Sequence, residues 1–130
     1  MKLLLDTHIL LWAAADTLPK ETESLLTDEA NTLFFSPASI WEIVIEKGIG
    51  RPDFKVDPEV LRRGLLDNQY YEIPITSLHT LAVMDLPMCH KDPFDRILLA
   101  QAKCEGIPLV TADEVLKRYP GPTLFVEHRT

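Results

Sequence analysis

Little in these 130 residues points to covalent staples or to a membrane. The cysteines are Cys89 and Cys104, with no CxxC and no framework spacing. That excludes a disulfide scaffold and fits reduced thiols in a cytoplasm. No apolar run approaches the length of a membrane span, the longest being Ile9 to Ala15. Lys2-Leu3-Leu4-Leu5 is too short, and too soon followed by Asp6, for a signal peptide. Positive charge is scarce: Lys plus Arg number 13 against 20 Asp plus Glu, a net charge of −7 and a pI near 5.0. General basicity therefore does not hold this chain to nucleic acid, although a local patch assisted by cations is compatible with the balance. There is no internal repeat, low-complexity segment or linker. What is present, 46% hydrophobic and 25% charged residues, is ordinary for a soluble globular protein. The length suits one domain over residues 1–130, large enough to bury a core unaided.

Apolar runs and cap signals alternate along the chain. Lys2 to Leu5 reads as a buried parallel strand ending at Asp6, and His8 to Ala15 as a short helix capped by Thr7. Pro19 opens a second helix through Leu26. Thr32 to Phe35 is the second strand, and Ser36-Pro37 starts a helix that Gly48-Ile49-Gly50 stops. A loop over Arg51 to Pro58 leads to an amphipathic helix, Glu59 to Gln69. Tyr71 to Ile75 is the third strand, followed by a helix over Ser77 to Leu86. Asp92 caps and Pro93 opens the next helix, which Gly106 and Pro108 end. Ile107 to Thr111 is the fourth strand, Val115 to Tyr119 one or two helical turns, and Thr123 to Val126 the last strand. Strands alternating with helices predict an α/β fold, a mostly parallel sheet covered on both faces.

Such sheets bind ligands beyond the carboxyl ends of their strands. Asp6 directly follows the first strand, and Asp113 follows the fourth by two residues. Glu42 is within two helical turns of the second strand's end. Asp92 and Asp95 begin the helix that returns the chain to the fourth strand. Each acid also has an ordinary reading: Asp92 and Asp95 as first-turn capping residues, and Glu42 on a polar stripe paired with Lys47. Their convergence on one rim favours chemistry. Clustered carboxylates repel unless cations compensate, and an all-oxygen set suits Mg²⁺ or Mn²⁺ rather than zinc. Divalent ions there would polarise a phosphoryl oxygen and acidify an attacking water, so metal-assisted phosphodiester hydrolysis is the reaction expected.

Leu5-Asp6-Thr7-His8, Ser39-Ile40-Trp41-Glu42-Ile43, His90-Lys91-Asp92-Pro93-Phe94-Asp95-Arg96 and Leu109-Val110-Thr111-Ala112-Asp113 closely resemble the motifs of PIN-domain ribonucleases. More narrowly, they resemble those of VapC-type toxins from toxin–antitoxin pairs, in the family's order and spacing. The resemblance covers essentially the whole chain. It implies a three-layer α/β/α domain and a Mg²⁺- or Mn²⁺-dependent endoribonuclease that cuts structured RNA such as tRNA or rRNA. It further implies a homodimer, held inactive by a cognate antitoxin that sets a basic side chain in the acidic site. By position, Asp6, Glu42, Asp95 and Asp113 match the acidic quartet as metal ligands and catalytic groups. Asp95 is the better match than Asp92, because it directly precedes the helical run from Arg96 to Ala100. Thr7, Ser39, Asp92 and Thr111 would support the acids by hydrogen bonds, which as caps and strand ends they make locally in any case.

Arg51, Lys55, Arg62 and Arg63 are the candidate RNA-backbone patch, with Lys91 and Arg96 nearer the metals; solvated surface is the plainer reading for each. His90 is a lone loop histidine near the motif. Trp12 and Trp41 lie on apolar helical patterns that point to core or dimer contact before base stacking. Phosphoaspartate enzymes also place an Asp after a first strand. One kind wants a second Asp where His8 stands, and the other an acidic pair and a late Lys that are not evident. Two further rivals share the PIN scaffold: a nuclease of RNA maturation or DNA processing, and a non-catalytic interaction module. The quartet is intact, which counts against the module.

Overall fold

The first strand, β1 (Lys2–Leu5), lies in the middle of the sheet, and Leu3, Leu4 and Leu5 are fully buried there. The computed structural model describes residues 1–50, 55–87, 92–119 and 121–127. Five strands run in the order β3-β2-β1-β4-β5, with β2 Thr32–Phe35, β3 Tyr71–Glu72, β4 Leu109–Thr111 and β5 Thr123–Phe125. Every pairing is parallel; β1 matches Leu3 to Leu33 on one side and Leu4 to Leu109 on the other. The chain moves outward from β1 to β3, then crosses back to begin again at β4. The strand order therefore reverses between β1 and β4, where ligand crevices form in sheets of this kind.

Alternation along the strands splits the core into two layers. Leu3, Leu5, Leu33, Phe35 and Val110 join Ile9, Leu10, Ile43, Leu61 and Leu65 in one cluster. Leu4 and Leu109 face the opposite way, with Ala38, Leu98, Leu99, Ala102 and Leu116. The helices are α1 (Thr7–Ala14), α2 (Lys20–Thr27), α3 (Pro37–Ile49), α4 (Pro58–Asp67), α5 (Ser77–Ala82) and α6 (Pro93–Glu105). A sheet with helices against both faces is the three-layer α/β/α arrangement. No helix among the described residues is long and apolar enough to cross a membrane.

Local chemistry sets the element ends. Proline stands at the first position of α3, α4 and α6, each behind a side-chain cap from Ser36, Asp57 or Asp92. Gly50 and Gly106 close α3 and α6 at φ of 76° and 68°, left-handed values that a side chain disfavours. The third strand stops at Glu72 rather than Ile75, because Pro74 has no N–H to give the ladder. The helix expected to reach Leu86 ends at Ala82 and continues as a 3-10 turn, Val83–Asp85. The late helical segment is likewise a 3-10 turn, Leu116–Arg118.

Trp41 corrects the expectation of core packing. It is 62% exposed and packs edge-on against Phe94 of α6, ring centroids 5.2 Å apart. Trp12 is half-buried against the first cluster, as its pattern suggests. Cys104 is an exposed free thiol, and Cys89 lies outside the described residues.

Candidate active site at the carboxyl ends of the strands

Asp6 ends β1 and begins α1, so the strand's burial and the helix's need for a cap act on one side chain. Its Oδ1 accepts the Ile9 N–H at 3.0 Å, and the residue is only 3% exposed. Burial raises its carboxyl above the ordinary 3.8. Hydrogen bonds from the Thr111 hydroxyl and the Ile9 N–H oppose the rise, as does the charge of His8, while Asp113 adds to it. Thr111, the last residue of β4, works in two directions. Its oxygen accepts the Asp113 N–H at 3.0 Å, and its side chain lowers the Asp6 carboxyl. Thr111 thus acts on both acids at the carboxyl end of β4, beside β1. The Asp113 carboxylate accepts the Val115 N–H at 2.8 Å, which opens the 3-10 turn and keeps the side chain at the rim.

Glu42 reaches the same rim from α3. It is half-buried, and burial is the main reason its carboxyl lies above the ordinary 4.5. The Thr7 hydroxyl and the His8 charge lower it, while Asp92 and Asp6 push it up. Its Oε1 is buried with no hydrogen-bond partner among the described residues. Thr7 also meets Ser39 of α3, the two hydroxyl oxygens 3.0 Å apart.

Asp92 caps α6 as expected, its Oδ1 accepting the Phe94 N–H at 2.9 Å. The Trp41–Phe94 contact holds α3 beside this helix start, which explains why Asp92 acts on Glu42. Asp95 is the third residue of α6, half-buried in its first turn. Asp6, Glu42, Asp92 and Asp113 are therefore linked electrostatically, and Asp95 stands one turn beyond Asp92. Among the described residues, no three of these acids close around one point as a ready cage for a metal. The donor set nonetheless fits a hard cation. It is all carboxylate, two members are held above their ordinary pKa by burial, and one buried oxygen has no partner.

His8 is the residue that sequence reasoning passed over. It is exposed, acts on both Asp6 and Glu42, and lies against Trp12 with ring centroids 6.3 Å apart. Its place two residues after Asp6, in the first turn of α1, was the available signal.

The basic residues separate. Arg96 is corrected as an RNA contact: it is 8% exposed and directs its guanidinium inward. It donates to the carbonyls of Pro87 at 2.9 Å and Val83 at 3.1 Å, and to the Tyr119 hydroxyl at 3.3 Å. Arg62 forms an exposed ion pair with Glu72 at 2.9 Å. Arg63 and Lys55 are exposed. Arg51, His90 and Lys91 lie outside the described residues.

Among solved structures, VapBC2 from Rickettsia felis, bound to a promoter DNA fragment, has 18% identity and a TM-score of 0.72 over 98% of both chains. DNA-bound VapBC from Salmonella typhimurium has 13% identity and a TM-score of 0.67, covering 95% of this chain and 96% of that one. A toxin–antitoxin complex from Klebsiella pneumoniae has 21% identity and a TM-score of 0.67, covering 95% and 98%. At these identities the likeness is one of fold. No curated protein matches the sequence. A PIN domain model matches residues 3–122, which takes in the acids at the strand ends. The chain belongs to the PIN domain family.

Proposed function

We propose that this protein is a VapC-type PIN nuclease: a single-domain, Mg²⁺- or Mn²⁺-dependent endoribonuclease that serves as the toxin of a toxin–antitoxin pair. Its substrate is structured RNA, tRNA or rRNA. The observation that carries the reading is the electrostatic link of Asp6 to Asp113 and of Glu42 to Asp6 and Asp92 at the carboxyl ends of the strands, where the strand order reverses. Carboxylates that raise one another in this way are relieved by a cation.

Asp6 and Asp95 would hold the metal, with Asp113 and Glu42 completing the set directly or through water. A bound divalent ion supplies Lewis acidity toward a phosphoryl oxygen and a more acidic water. Asp113 or Glu42 would orient the attacking water and take its proton as the phosphorus–oxygen bond to the departing ribose oxygen breaks, that oxygen taking a proton from solvent. No covalent intermediate with the chain is needed. Thr111 and Thr7 hold the carboxylates in place.

Two surface features support the proposed partners. A cleft of about 620 Å³ lies between α1, α2 and α4, with Leu18, Leu26, Leu65 and Tyr70 on its walls and Asp16 and Glu23 beside them. An amphipathic antitoxin segment with basic residues would match that lining, and the Klebsiella structure is a toxin–antitoxin complex. Trp41, Val44, Ile45 and Ile49 form an exposed apolar stripe on α3, suited to a second copy in a homodimer. A cytoplasmic location accords with the free thiol and the RNA substrate.

The test is cleavage of a structured RNA by the purified protein. Activity should require Mg²⁺ or Mn²⁺, vanish with chelator and return on adding metal. Undiminished cleavage in excess chelator would refute the reading.

A further inference from the structure

We infer that Lys117, seated over the ring of Phe125, is a substrate-binding residue that takes a backbone phosphate of the RNA on the β5 side of the acidic rim. The inference rests on the nuclease reading and adds a contact to it.

The sheet sets the place. Phe125 ends β5 and is in register with Thr111, the last residue of β4. Register partners on neighbouring strands point to one face, the strands lying about 4.8 Å apart. Phe125 is therefore the next side chain along the strand ends from Thr111, whose oxygen holds the Asp113 N–H. The Val126 N–H donates to the Thr111 carbonyl at 2.8 Å and fixes that edge. Asp113 places the other partner. Its carboxylate accepts the Val115 N–H at 2.8 Å and its carbonyl the Lys117 N–H at 3.3 Å, so the 3-10 turn bearing Lys117 is built on a site acid. The Lys117 ammonium lies 4.7 Å from the centre of the Phe125 ring.

Charge sets this lysine apart. The chain has 20 acidic against 13 basic side chains, and Asp113 stands four residues before Lys117, a spacing at which opposite charges pair on a helical turn. Lys117 nonetheless makes no ion pair among the described residues; it is exposed, and its ammonium rests on a half-buried aromatic ring. A cation held by a ring keeps its full charge and its donors open to an anion. Arg96 and Arg62 offer no such cation, the first turned inward and the second paired with Glu72. A metal at the acids neutralises only the phosphates it touches, and RNA continuing past Asp113 toward β5 meets Lys117 next. Phosphate contacts of this kind set the position of the strand rather than its sequence. The ring also restrains the lysine stem before RNA arrives, so less ordering remains to be done on binding.

The experiment is steady-state cleavage of a tRNA transcript by the full chain, at fixed saturating Mn²⁺ over a range of KCl, alongside thermal melts. Lys117→Ala should lower kcat/KM roughly fivefold, the upper end for an exposed charge contact, with the loss in KM. It should also flatten the plot of log(kcat/KM) against log[KCl] by about one. Lys117→Arg should keep the wild-type slope. Lys103→Ala removes the same charge in the last turn of α6, beside the start of β4 rather than its end, and should change neither value. Phe125→Leu should raise KM on its own and add nothing to Lys117→Ala, since it acts only through the ammonium. A lysine stem that merely covers an apolar ring predicts a lower melting temperature with slope and KM unchanged. That result, additive losses, or equal flattening by Lys103→Ala would overturn the inference. Should Phe125→Leu fail to fold, the surface variants at Lys117 and Lys103 decide alone. A wild type that leaves RNA intact in Mn²⁺ refutes the nuclease reading and this contact with it; wild-type cleavage that Lys117→Ala does not alter overturns the contact alone.

Discussion

Replace Arg96 with alanine, and the first turn of α6 loses its connection to the segment before it. The guanidinium donates to Pro87 O at 2.9 Å and Val83 O at 3.1 Å, with longer bonds to Tyr119 Oη at 3.3 Å and Leu86 O at 3.4 Å. A hydrogen bond from a charged group contributes roughly 1.5–3 kcal/mol net. These carbonyls are only partly buried, so water can reach them once the side chain is gone, and the lower figure applies. The two short bonds then amount to about 3 kcal/mol, and the two long ones add little. Lost packing of the stem costs about 1 kcal/mol more, which release of the buried charge roughly offsets. The expected net loss of about 3 kcal/mol is a large share of the roughly 5–15 kcal/mol that holds a domain together. In equilibrium urea unfolding, at a slope near 2 kcal/mol/M, the midpoint should fall by about 1.5 M. A fall below about 0.3 M with unchanged slope would refute the structural role. RNA binding by the folded variant supplies the second check. Its salt dependence should match the wild type, whereas a slope reduced by about one would mean a phosphate contact.

Burial raises the Asp6 and Glu42 carboxyls above 3.8 and 4.5, so each favours the fold below that ordinary value and loses the contribution as pH rises through its folded value. Chelator-treated Asp6→Asn, which keeps a capping side chain, should therefore be more stable than the wild type at pH 7, with the gap closing as pH falls toward 4; a gap that widened on acidification would contradict the assigned cause. Asp92→Ala should lower stability by about 1 kcal/mol through loss of the α6 cap and leave measurable cleavage, whereas Asp95→Ala should abolish cleavage with little change in melting temperature. The reverse pattern in melts and RNA assays would exchange their roles.

Much of the scaffold was legible because its signals are local. Proline behind a capping side chain placed the starts of α3 and α6, and short aliphatic runs placed β1 and β4. Strand-end logic alone was enough to bring Asp6 and Asp113 together. What local reasoning missed depends on which face a side chain meets. Arg96 looks like a free cation beside an acidic motif, and only the packing of α6 against the turn at Val83–Asp85 turns it inward. Trp41 belongs to an apolar pattern, yet the position of α3 leaves its indole at the surface against Phe94. His8 carried no periodic signal at all; what singles it out is its charge acting on both Asp6 and Glu42.

The most direct measurement is cleavage of a structured RNA by wild type and Asp6→Asn across a Mn²⁺ titration, with both proteins verified as folded by circular dichroism. The wild type should cut in proportion to metal occupancy, and the variant should lose roughly 100-fold or more at every concentration. Equal cleavage by a folded Asp6→Asn, or cleavage indifferent to metal, would contradict the acidic rim as the seat of catalysis.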